Sequence, residues 1–377
     1  MSIGVAQIMS YYPKYAYLDK VLEVSGKKKL VLHIDLKNSL RALYLEPFVK
    51  DIVNETQMAR HIDVSIFASF IEFVSFHKQY ATKRGLDMEM YFFYEQGTSS
   101  YHEMYNKGYK RSRLINNLFN IGESYTEVFY KVVSKNLDLI RKVGNKLPGC
   151  SVVFLDFLDA DFIPYYLINR AFTNANESVH LIYSNDKDHY QILTHDNTFQ
   201  FIKGWKGSKI IGKKDVWHQI LKEDIPYDVS YVPIFHAILG DVGDDIPGID
   251  GIGPKTLIKI AGELFSMIGP IEDVYKNLKE KKSVFPDRHI TDTKAIQTLK
   301  IQEKLFTDCL YQVSYYLMSE FFDSNSNTEV MKKRKRVLDD INPDRPRIRN
   351  GNVLYEAFEK SGISVPANEQ SIFNLFQ

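Results

Sequence analysis

The sequence predicts an α/β fold with a largely parallel central sheet. Short apolar segments alternate with segments of helical periodicity, which is typical of strands joined by crossover helices. Strands are predicted at residues 29–35, 88–94, 151–155 and 179–183, and a helix at 65–84. Ligands of such sheets bind beyond the carboxyl ends of the strands, where Asp35, Glu95 and Asp186 fall.

The pattern changes beyond these strands. A hairpin is predicted from residues 191–193 to 199–202 around the turn sequence T-H-D-N-T. From about residue 231 short helices joined by glycine turns are expected, followed by a break at 324–327 and a basic run at 332–336. The run resembles a nuclear-localisation signal, but we expect a solvated linker or a contact with a DNA backbone.

Composition narrows the class of protein. The chain has 377 residues, 44% of them hydrophobic and 25% charged, and no apolar run long enough to span a membrane. Two cysteines, Cys150 and Cys309, are too few for a disulfide framework, so an intracellular, cytoplasmic protein is expected. The net charge of +1 neither favours nor excludes nucleic acid, because acids are concentrated in short motifs and bases in separate clusters.

Closely spaced acids recur along the chain. The pairs are Asp159 with Asp161, Asp186 with Asp188, and Asp241 with Asp244. So many carboxylates in one cleft would repel one another unless cations neutralised them, and hard oxygen ligands select Mg²⁺ or Mn²⁺. Two such ions about 4 Å apart can support phosphodiester hydrolysis. Any single pair is explained as well by a helix cap or a turn; the whole series favours metal.

A glycine-rich turn follows the last pair. In G-I-G-P-K-T, Gly251 and Gly253 permit a tight loop and Pro254 suits the first turn of a helix. Its free backbone N–H groups, with Lys255 and Thr256, would bind a DNA phosphate. A phosphate-binding Walker loop is rejected, because the proline separates glycine from lysine and no strand precedes. A helix–turn–helix that serves packing alone is the alternative.

These motifs together resemble the flap-endonuclease-type (FEN-like) 5′-nuclease family, and within it most closely the ribonuclease H of T-even bacteriophages. The strongest elements are S-N-D-K-D at 184–188 and I-L-G-D-V-G-D-D-I-P-G-I-D-G-I-G-P-K at 238–255. The resemblance is collinear from Asp35 to about Gly262 and implies a PIN-like nuclease core, a helical arch and a helix–hairpin–helix DNA-binding element.

The resemblance also implies roles for individual residues. Lys110 and Arg113 would contact the scissile phosphate at the base of the arch, and Asp186 and Asp188 would be catalytic. The implied metal ligands are Asp35, Glu95, Asp159, Asp161, Asp186, Asp188, Asp241 and Asp244. The implied cofactors are two Mg²⁺ or Mn²⁺ ions, and a K⁺ ion is a candidate at the loop of Gly251 and Gly253.

Three departures from the family pattern put one metal site in doubt. Glu95 stands where Asp is usual, Asp159 where Glu is usual, and Phe162 where a further acid is common. The tyrosines at the start of the arch, Tyr101, Tyr105 and Tyr109, would either stack on bases or pack in the core. His33, His180 and His189 show no zinc spacing and are expected to be structural.

The resemblance implies four regions. They are a lead segment (1–28), a catalytic core (29–230) with the arch at about 101–135, a helix–hairpin–helix region (231–300) and a C-terminal helical extension (301–377). The expected function is metal-dependent 5′→3′ hydrolysis at 5′ ends and flaps of RNA–DNA or DNA duplexes, for primer removal in replication. The expected partners are these duplexes and, through residues 347–377, a single-stranded DNA-binding protein, with the enzyme itself a monomer. A homologue that binds branched DNA without cutting it and a PIN-like RNA endonuclease are the alternatives.

Overall fold

A six-stranded sheet forms the centre of the computed structural model, which describes residues 15–36, 55–95, 97, 99–112, 136–171, 177–204, 207–285 and 293–342. The strands are β1 (Lys29–Asp35), β2 (Asp87–Glu95), β3 (Cys150–Leu155), β4 (Ser178–Tyr183), β5 (Thr198–Gly204) and β6 (Gly207–Ile211). Their order is β3-β2-β1-β4-β5-β6, parallel throughout except that β6 runs antiparallel to β5. The predicted α/β class and parallel sheet are confirmed.

Both faces of the sheet are buried, which explains why its strands appear in the sequence as continuous apolar runs. One face is covered by helices α1 (Tyr15–Ser25) and α2 (Glu55–Arg84) and by helical residues 136–144. Alternate residues of β1 divide between the two sides: Leu30 and Leu32 belong to this cluster, whereas Val31 belongs to the cluster on the other face.

Shorter helices cover the other face. They are α3 (Ser100–Tyr105), α4 (Ile163–Tyr166), α5 (Val216–Leu221), α6 (Val232–Leu239), α7 (Pro254–Ile268), α8 (Ile271–Lys279), α9 (Lys294–Ile301), α10 (Glu303–Val313), α11 (Tyr315–Ser324) and α12 (Thr328–Ile341). A π-helical turn, Leu167–Ala171, follows α4, and 3-10 turns at Ala160–Phe162, Lys187–Ile192, Lys213–Asp215, Val229–Tyr231 and Val242–Asp244 connect other elements. Apolar residues from α4 to α12 join one cluster with β2 and β3, so the described C-terminal helices share the core of the sheet.

The predicted hairpin at 191–202 is wrong. Gln191 lies in the 3-10 turn Lys187–Ile192, and Thr198 begins a strand that pairs in parallel with β4; the hairpin is instead β5–β6. The reason is tertiary: the Gln191 amide donates to the backbone oxygens of Asp188 (3.0 Å) and Val313 (2.9 Å), and these contacts fasten the turn to a distant helix end.

The basic run 332–336 is helical, so the expected solvated linker is wrong. The predicted break at 324–327 separates α11 from α12, and Asn327 caps α12 by accepting from the Glu329 N–H. Within the run, Lys333 pairs with Asp156 at 3.1 Å. The helix is fixed to the helical segment 136–144 and the turn after it by the buried Asp340, whose carboxylate accepts from Arg141 Nε at 2.9 Å and from Asn145 Nδ2 at 3.1 Å.

Several predictions fall on residues that the structure does not describe. Arg113 and the rest of the predicted arch up to residue 135 lie outside the described residues, as do the lead segment up to residue 14 and the predicted partner-contact region 347–377. Helix α3 lies where the arch was predicted to begin. None of the helices in the described ranges is long and apolar enough to cross a membrane.

Candidate active site

The predicted acids lie at the carboxyl edge of the sheet. Asp35 ends β1 and Glu95 ends β2, while Asp159 follows β3 and Asp186 follows β4. The chain reverses its direction of progress across the sheet between β1 and β4, and at such switch points the strand ends leave a crevice for ligands. The fold therefore directs these acids to one place.

A second group of acids lies beside the first. Single carboxylate oxygens of Asp188, Asp241 and Asp244 all lie within 4.8 Å of one another. Local backbone contacts place them: Asp186 Oδ1 accepts from the Asp188 N–H at 2.9 Å, and Asp241 Oδ1 accepts from the Gly243 N–H at 2.8 Å. In each of these two pairs, the side chain of the first aspartate thus accepts from the backbone N–H two residues later and fixes the turn that carries the second aspartate.

The two groups interact electrostatically. Burial, together with the charges of Asp159, Asp35, Asp186 and Glu95, raises the pKa of Asp161 well above its usual value. Burial also raises the pKa of Asp188, with Asp186, Asp244 and Asp241 adding to the shift. Asp186 acts on both carboxyls, so it lies where the two groups meet.

A lysine ammonium lies inside the first group. Lys110 Nζ is 2.6 Å from Asp159 Oδ2 and 3.4 Å from Glu95 Oε1, and only 15% of the lysine side chain is exposed. Although burial alone would raise it, the Lys110 charge holds the pKa of Asp159 well below its usual range. The Tyr109 hydroxyl donates to the same Asp159 oxygen at 2.8 Å. Lys110 therefore supplies part of the positive charge that these buried carboxylates require.

The backbone around Lys110 is fastened to the turn that carries the second group. The Lys110 N–H donates to the Asp244 backbone oxygen at 3.1 Å, and the Asn106 amide donates to the Asp245 backbone oxygen at 2.7 Å. Both the N–H and the hydroxyl of Ser112 donate to Asp245 Oδ2, at 2.8 and 2.9 Å. Lys110 has a positive φ of 55°, an uncommon conformation for this residue type that the contacts on either side maintain.

The donors at this site fit a hard divalent cation. The three candidate ligands of the second cluster, Asp188, Asp241 and Asp244, all offer carboxylate oxygens, the ligand type that Mg²⁺ and Mn²⁺ prefer. In the first cluster Asp159 Oδ1 is buried and has no hydrogen-bond partner among the described residues. A buried carboxylate oxygen in that state is costly without a cation or an ordered water.

The glycine turn lies between α6 and α7, as the helix–hairpin–helix pattern predicted. Gly251 has a positive φ of 77°, and Gly253 caps the amino end of α7. Gly251, Gly253 and Lys255 are exposed and Thr256 is partly exposed. Free N–H groups at this helix end are therefore accessible, as a phosphate contact would require.

Four other predicted residues, all aromatic, are packed against neighbouring side chains. Tyr101 and Tyr109 are buried, and the Tyr105 ring stacks on Tyr311 with centroids 4.7 Å apart, so packing explains them better than base stacking. Phe162 is fully buried against Phe322 at a centroid distance of 5.5 Å. Phe162, which stands where the family pattern often has a further acid, is thus a core residue in this chain.

Buried polar residues that the sequence reasoning did not assign to the site lie beneath the acids. His236 Nδ1 is 3.6 Å from Asp188 Oδ1, and His189 Nε2 is 3.8 Å from Asp161 Oδ1. Tyr315 is buried nearby, with its ring centroid 6.1 Å from that of His189. His236 is the one polar side chain in V-P-I-F-H-A-I-L, which is a usable signal; nothing in the sequence connects Tyr315 with the acids.

Comparison with known proteins agrees with the fold and the motifs. No family model matches the sequence. A 5′-3′ exonuclease of Aquifex aeolicus (strain VF5) is 28% identical over 169 residues, which are 45% of this chain and 53% of that protein. A DNA polymerase I of Caldicellulosiruptor bescii is 30% identical over 133 residues, 35% of this chain and 15% of that protein. The match thus spans about half of the exonuclease and less of the polymerase.

Solved structures share the fold over most of the chain. The T5 5′-exonuclease with bound zinc superposes with a TM-score of 0.55 at 18% identity, over 82% of this chain and 98% of that one. The bacteriophage T5 flap endonuclease in a pseudo-enzyme–product complex with DNA and metal ions gives a TM-score of 0.54 at 17% identity, over the same shares of the two chains. At these identities the likeness establishes the fold alone.

The fold and the acidic crevice are those of an α/β protein with a cluster of carboxylates at the carboxyl edge of its sheet. The curated relatives, which include 5′-3′ exonucleases, support the resemblance to the FEN-like 5′-nucleases that the motifs predicted.

Proposed function

We propose that the protein is a metal-dependent 5′→3′ nuclease that hydrolyses phosphodiester bonds at 5′ ends of DNA and RNA–DNA duplexes and at 5′ flaps. The observation that carries the proposal is the meeting of two carboxylate groups around Asp186 at the switch point of the sheet. Removal of RNA primers during replication is the proposed role, which the relationship to 5′-3′ exonucleases and DNA polymerase I supports.

The acids would hold two Mg²⁺ or Mn²⁺ ions, which when bound activate water and stabilise the leaving oxygen. Asp188, Asp241 and Asp244 would contribute to one site, Asp35, Glu95, Asp159 and Asp161 to the other, and Asp186 to both. Neighbouring solved structures with divalent ions support this assignment.

Lys110 would hold the scissile phosphate at the edge of the first group, together with Arg113. To reach a phosphate, the Lys110 ammonium has to leave Asp159, to which it is now 2.6 Å away. The exposed turn of Gly251, Gly253, Lys255 and Thr256 would bind the duplex backbone behind the cut, and its carbonyls are a candidate K⁺ site.

A homologue that binds branched DNA without cutting it is the second candidate. The ion pairs of Lys110 with Glu95 and Asp159 favour it, because an ammonium at that position opposes a cation there. The third candidate, a PIN-like RNA endonuclease, is less favoured, because it would not need the glycine turn that lies between α6 and α7.

One assay separates these functions. A 5′-labelled flap and a nicked RNA–DNA duplex are incubated with Mg²⁺ or with EDTA, and binding of each substrate is measured in parallel. Metal-dependent release of short 5′ products supports the nuclease; binding without products supports the second candidate, and cleavage of single-stranded RNA alone supports the third.

Matched variants locate the chemistry. Asp186→Asn removes the charge where the two groups meet and should abolish cleavage while duplex binding is retained. Asp196→Asn is the control: this exposed aspartate precedes β5 and lies at the opposite, amino end of the parallel strands. If Asp186→Asn cuts at the wild-type rate, the proposed site is wrong.

A further inference from the structure

A tyrosine hydroxyl is buried beneath the acids. Tyr315, the first residue of α11, is 2% exposed, and its hydroxyl oxygen is buried without a hydrogen-bond partner among the described residues. Burying a hydroxyl without a hydrogen-bond partner is unfavourable, so a physical reason is needed for its position in the folded core.

The surroundings of the hydroxyl are acidic. Burial raises the pKa of Tyr315 well above its usual value, and the charges of Asp161, Asp188, Asp186 and Asp159 raise it further, in that order. A tyrosine hydroxyl is protonated at neutral pH in any case, so this one can donate a hydrogen bond in a place where carboxylate acceptors predominate.

The backbone of Tyr315 is fixed from the side of the acids. Its N–H donates to Gln191 Oε1 at 2.9 Å, and the same Gln191 side chain donates to the backbone oxygen of Asp188 at 3.0 Å. The preceding residue is held as well, since the Ser314 hydroxyl donates to the Tyr275 hydroxyl at 2.9 Å. One glutamine thus ties the start of α11 to the turn that carries Asp186 and Asp188.

A second attachment comes from the segment that leads to Lys110. The Tyr101 hydroxyl donates to the Tyr311 backbone oxygen at 2.8 Å, and His102 Nε2 is 2.9 Å from the Gln312 backbone oxygen. The junction of α10 and α11, residues 311–315, is therefore fastened to both sides of the acidic crevice.

We propose that Tyr315 is a positioning residue of the metal site, whose hydroxyl donates a hydrogen bond to a cluster carboxylate, Asp161 or Asp188, and so orients it toward a bound divalent cation. The inference rests on the proposed function, because it requires that the acids bind metal. Hydrogen bonds to ligating carboxylates fix their direction, and loss of such an outer contact typically lowers metal affinity by about 10- to 100-fold.

The test uses Tyr315→Phe, which removes the hydroxyl and keeps the ring. Mn²⁺ binding to the full chain is measured by calorimetry and by electron paramagnetic resonance, and the melting temperature is recorded without metal. We expect the Kd for Mn²⁺ to rise by about 10-fold or more while the metal-free melting temperature is unchanged or higher, since an unpaired buried hydroxyl has been removed. A near-ultraviolet difference spectrum on adding Mn²⁺ should contain a tyrosine contribution that this variant loses.

Tyr275→Phe is the matched control. It removes another buried tyrosine hydroxyl near the same junction, but one whose partner is Ser314. It should lower the melting temperature and leave the Kd for Mn²⁺ unchanged.

Two results would overturn the inference and can be told apart. If wild type and Tyr315→Phe bind Mn²⁺ with the same Kd, Tyr315 serves packing only and the proposed function stands. If the wild type binds no Mn²⁺, the proposed function fails as well.

Discussion

Replacing Lys110 by methionine tests whether an ammonium substitutes for a cation within the acids. The variant keeps the length of the side chain and removes its charge. Without metal, it leaves the buried Asp159 and Glu95 carboxylates without the Lys110 ammonium, whose Nζ lies 2.6 and 3.4 Å from them in the wild type. The two expected effects are opposite: the metal-free protein should be less stable, whereas a metal ion should bind more tightly.

The structure gives the size of the first effect. The side chains of Lys110 and Asp159 are 15% and 8% exposed, so the pair is largely buried. Removing one partner of a buried ion pair costs about 3 to 5 kcal/mol, because the other charge stays desolvated. We therefore expect the free energy of unfolding of the metal-free protein to fall by about 3 kcal/mol.

Metal binding should change in the opposite direction. In the wild type a cation at Asp159 has to displace the ammonium, whereas in Lys110→Met it meets a carboxylate with no ammonium from Lys110. The Kd for Mn²⁺ should therefore decrease, and added Mn²⁺ should recover much of the lost stability. Turnover should still fall by about 100-fold or more, because a charge that stabilises the reacting phosphate is gone.

Lys187→Met supplies the control. Lys187 Nζ is 3.0 Å from Asp241 Oδ2, but half of the lysine side chain is exposed, and such pairs contribute about 0 to 1 kcal/mol. Urea unfolding of both variants with and without Mn²⁺ gives the free energies of unfolding, and calorimetry gives the Kd for Mn²⁺. Weaker Mn²⁺ binding in Lys110→Met, or equal loss of stability in the two variants, would refute the reasoning.

Three further predictions concern stability. Gly240→Ala should cost about 3 kcal/mol in thermal unfolding, because φ is +70° and a Cβ would lie 2.5 Å from a backbone oxygen; Gly251→Ala, with equal strain but open space around it, should cost less. Burial lowers the pKa of His77 to about 4, so at this site the unfolded chain alone binds a proton as pH falls below about 6.5; the contribution of His77 to stability should decline by about 1.4 kcal/mol per pH unit toward pH 4, and His77→Gln should reduce the slope of stability against pH by that amount in urea titrations. Arg141→Ala should lower the free energy of unfolding by about 3 kcal/mol, since it removes the guanidinium that pairs with the buried Asp340 carboxylate; a loss below 1 kcal/mol would contradict this.

The sheet and the acids at its edge were predictable because their signals are local. A buried parallel strand needs an apolar run, and β1 and β2 each end such a run with an acid, Asp35 and Glu95. Short acid spacing followed by glycine is equally visible. The resemblance to the FEN-like nucleases was also predictable, because it rests on motifs whose residues are close together in the chain.

Features set by distant residues were not predictable. Residues 191–193 have the composition of a strand, but the Gln191 amide binds backbone oxygens on both sides of the crevice and the segment becomes a 3-10 turn. The basic run at 332–336 suggested a linker because its charges are consecutive. In the helix, Lys333 and Arg334 turn inward to Asp156 and Asp323, at 3.1 Å each.

The sequence suggested a catalytic core separate from a C-terminal extension. At the acidic crevice, however, the described part of that extension contributes to the surroundings of the carboxylates. Buried carboxylates of one charge are stable only if donors and cations surround them on every side. The strands supply the carboxylates, the start of the predicted arch supplies Tyr109 and Lys110, and α6 places His236 beside Asp188. The side beneath is closed by the junction of α10 and α11, where Tyr315 lies. Truncation before this junction would expose the crevice from below, so we expect the described C-terminal helices to be required for metal binding as well as for folding.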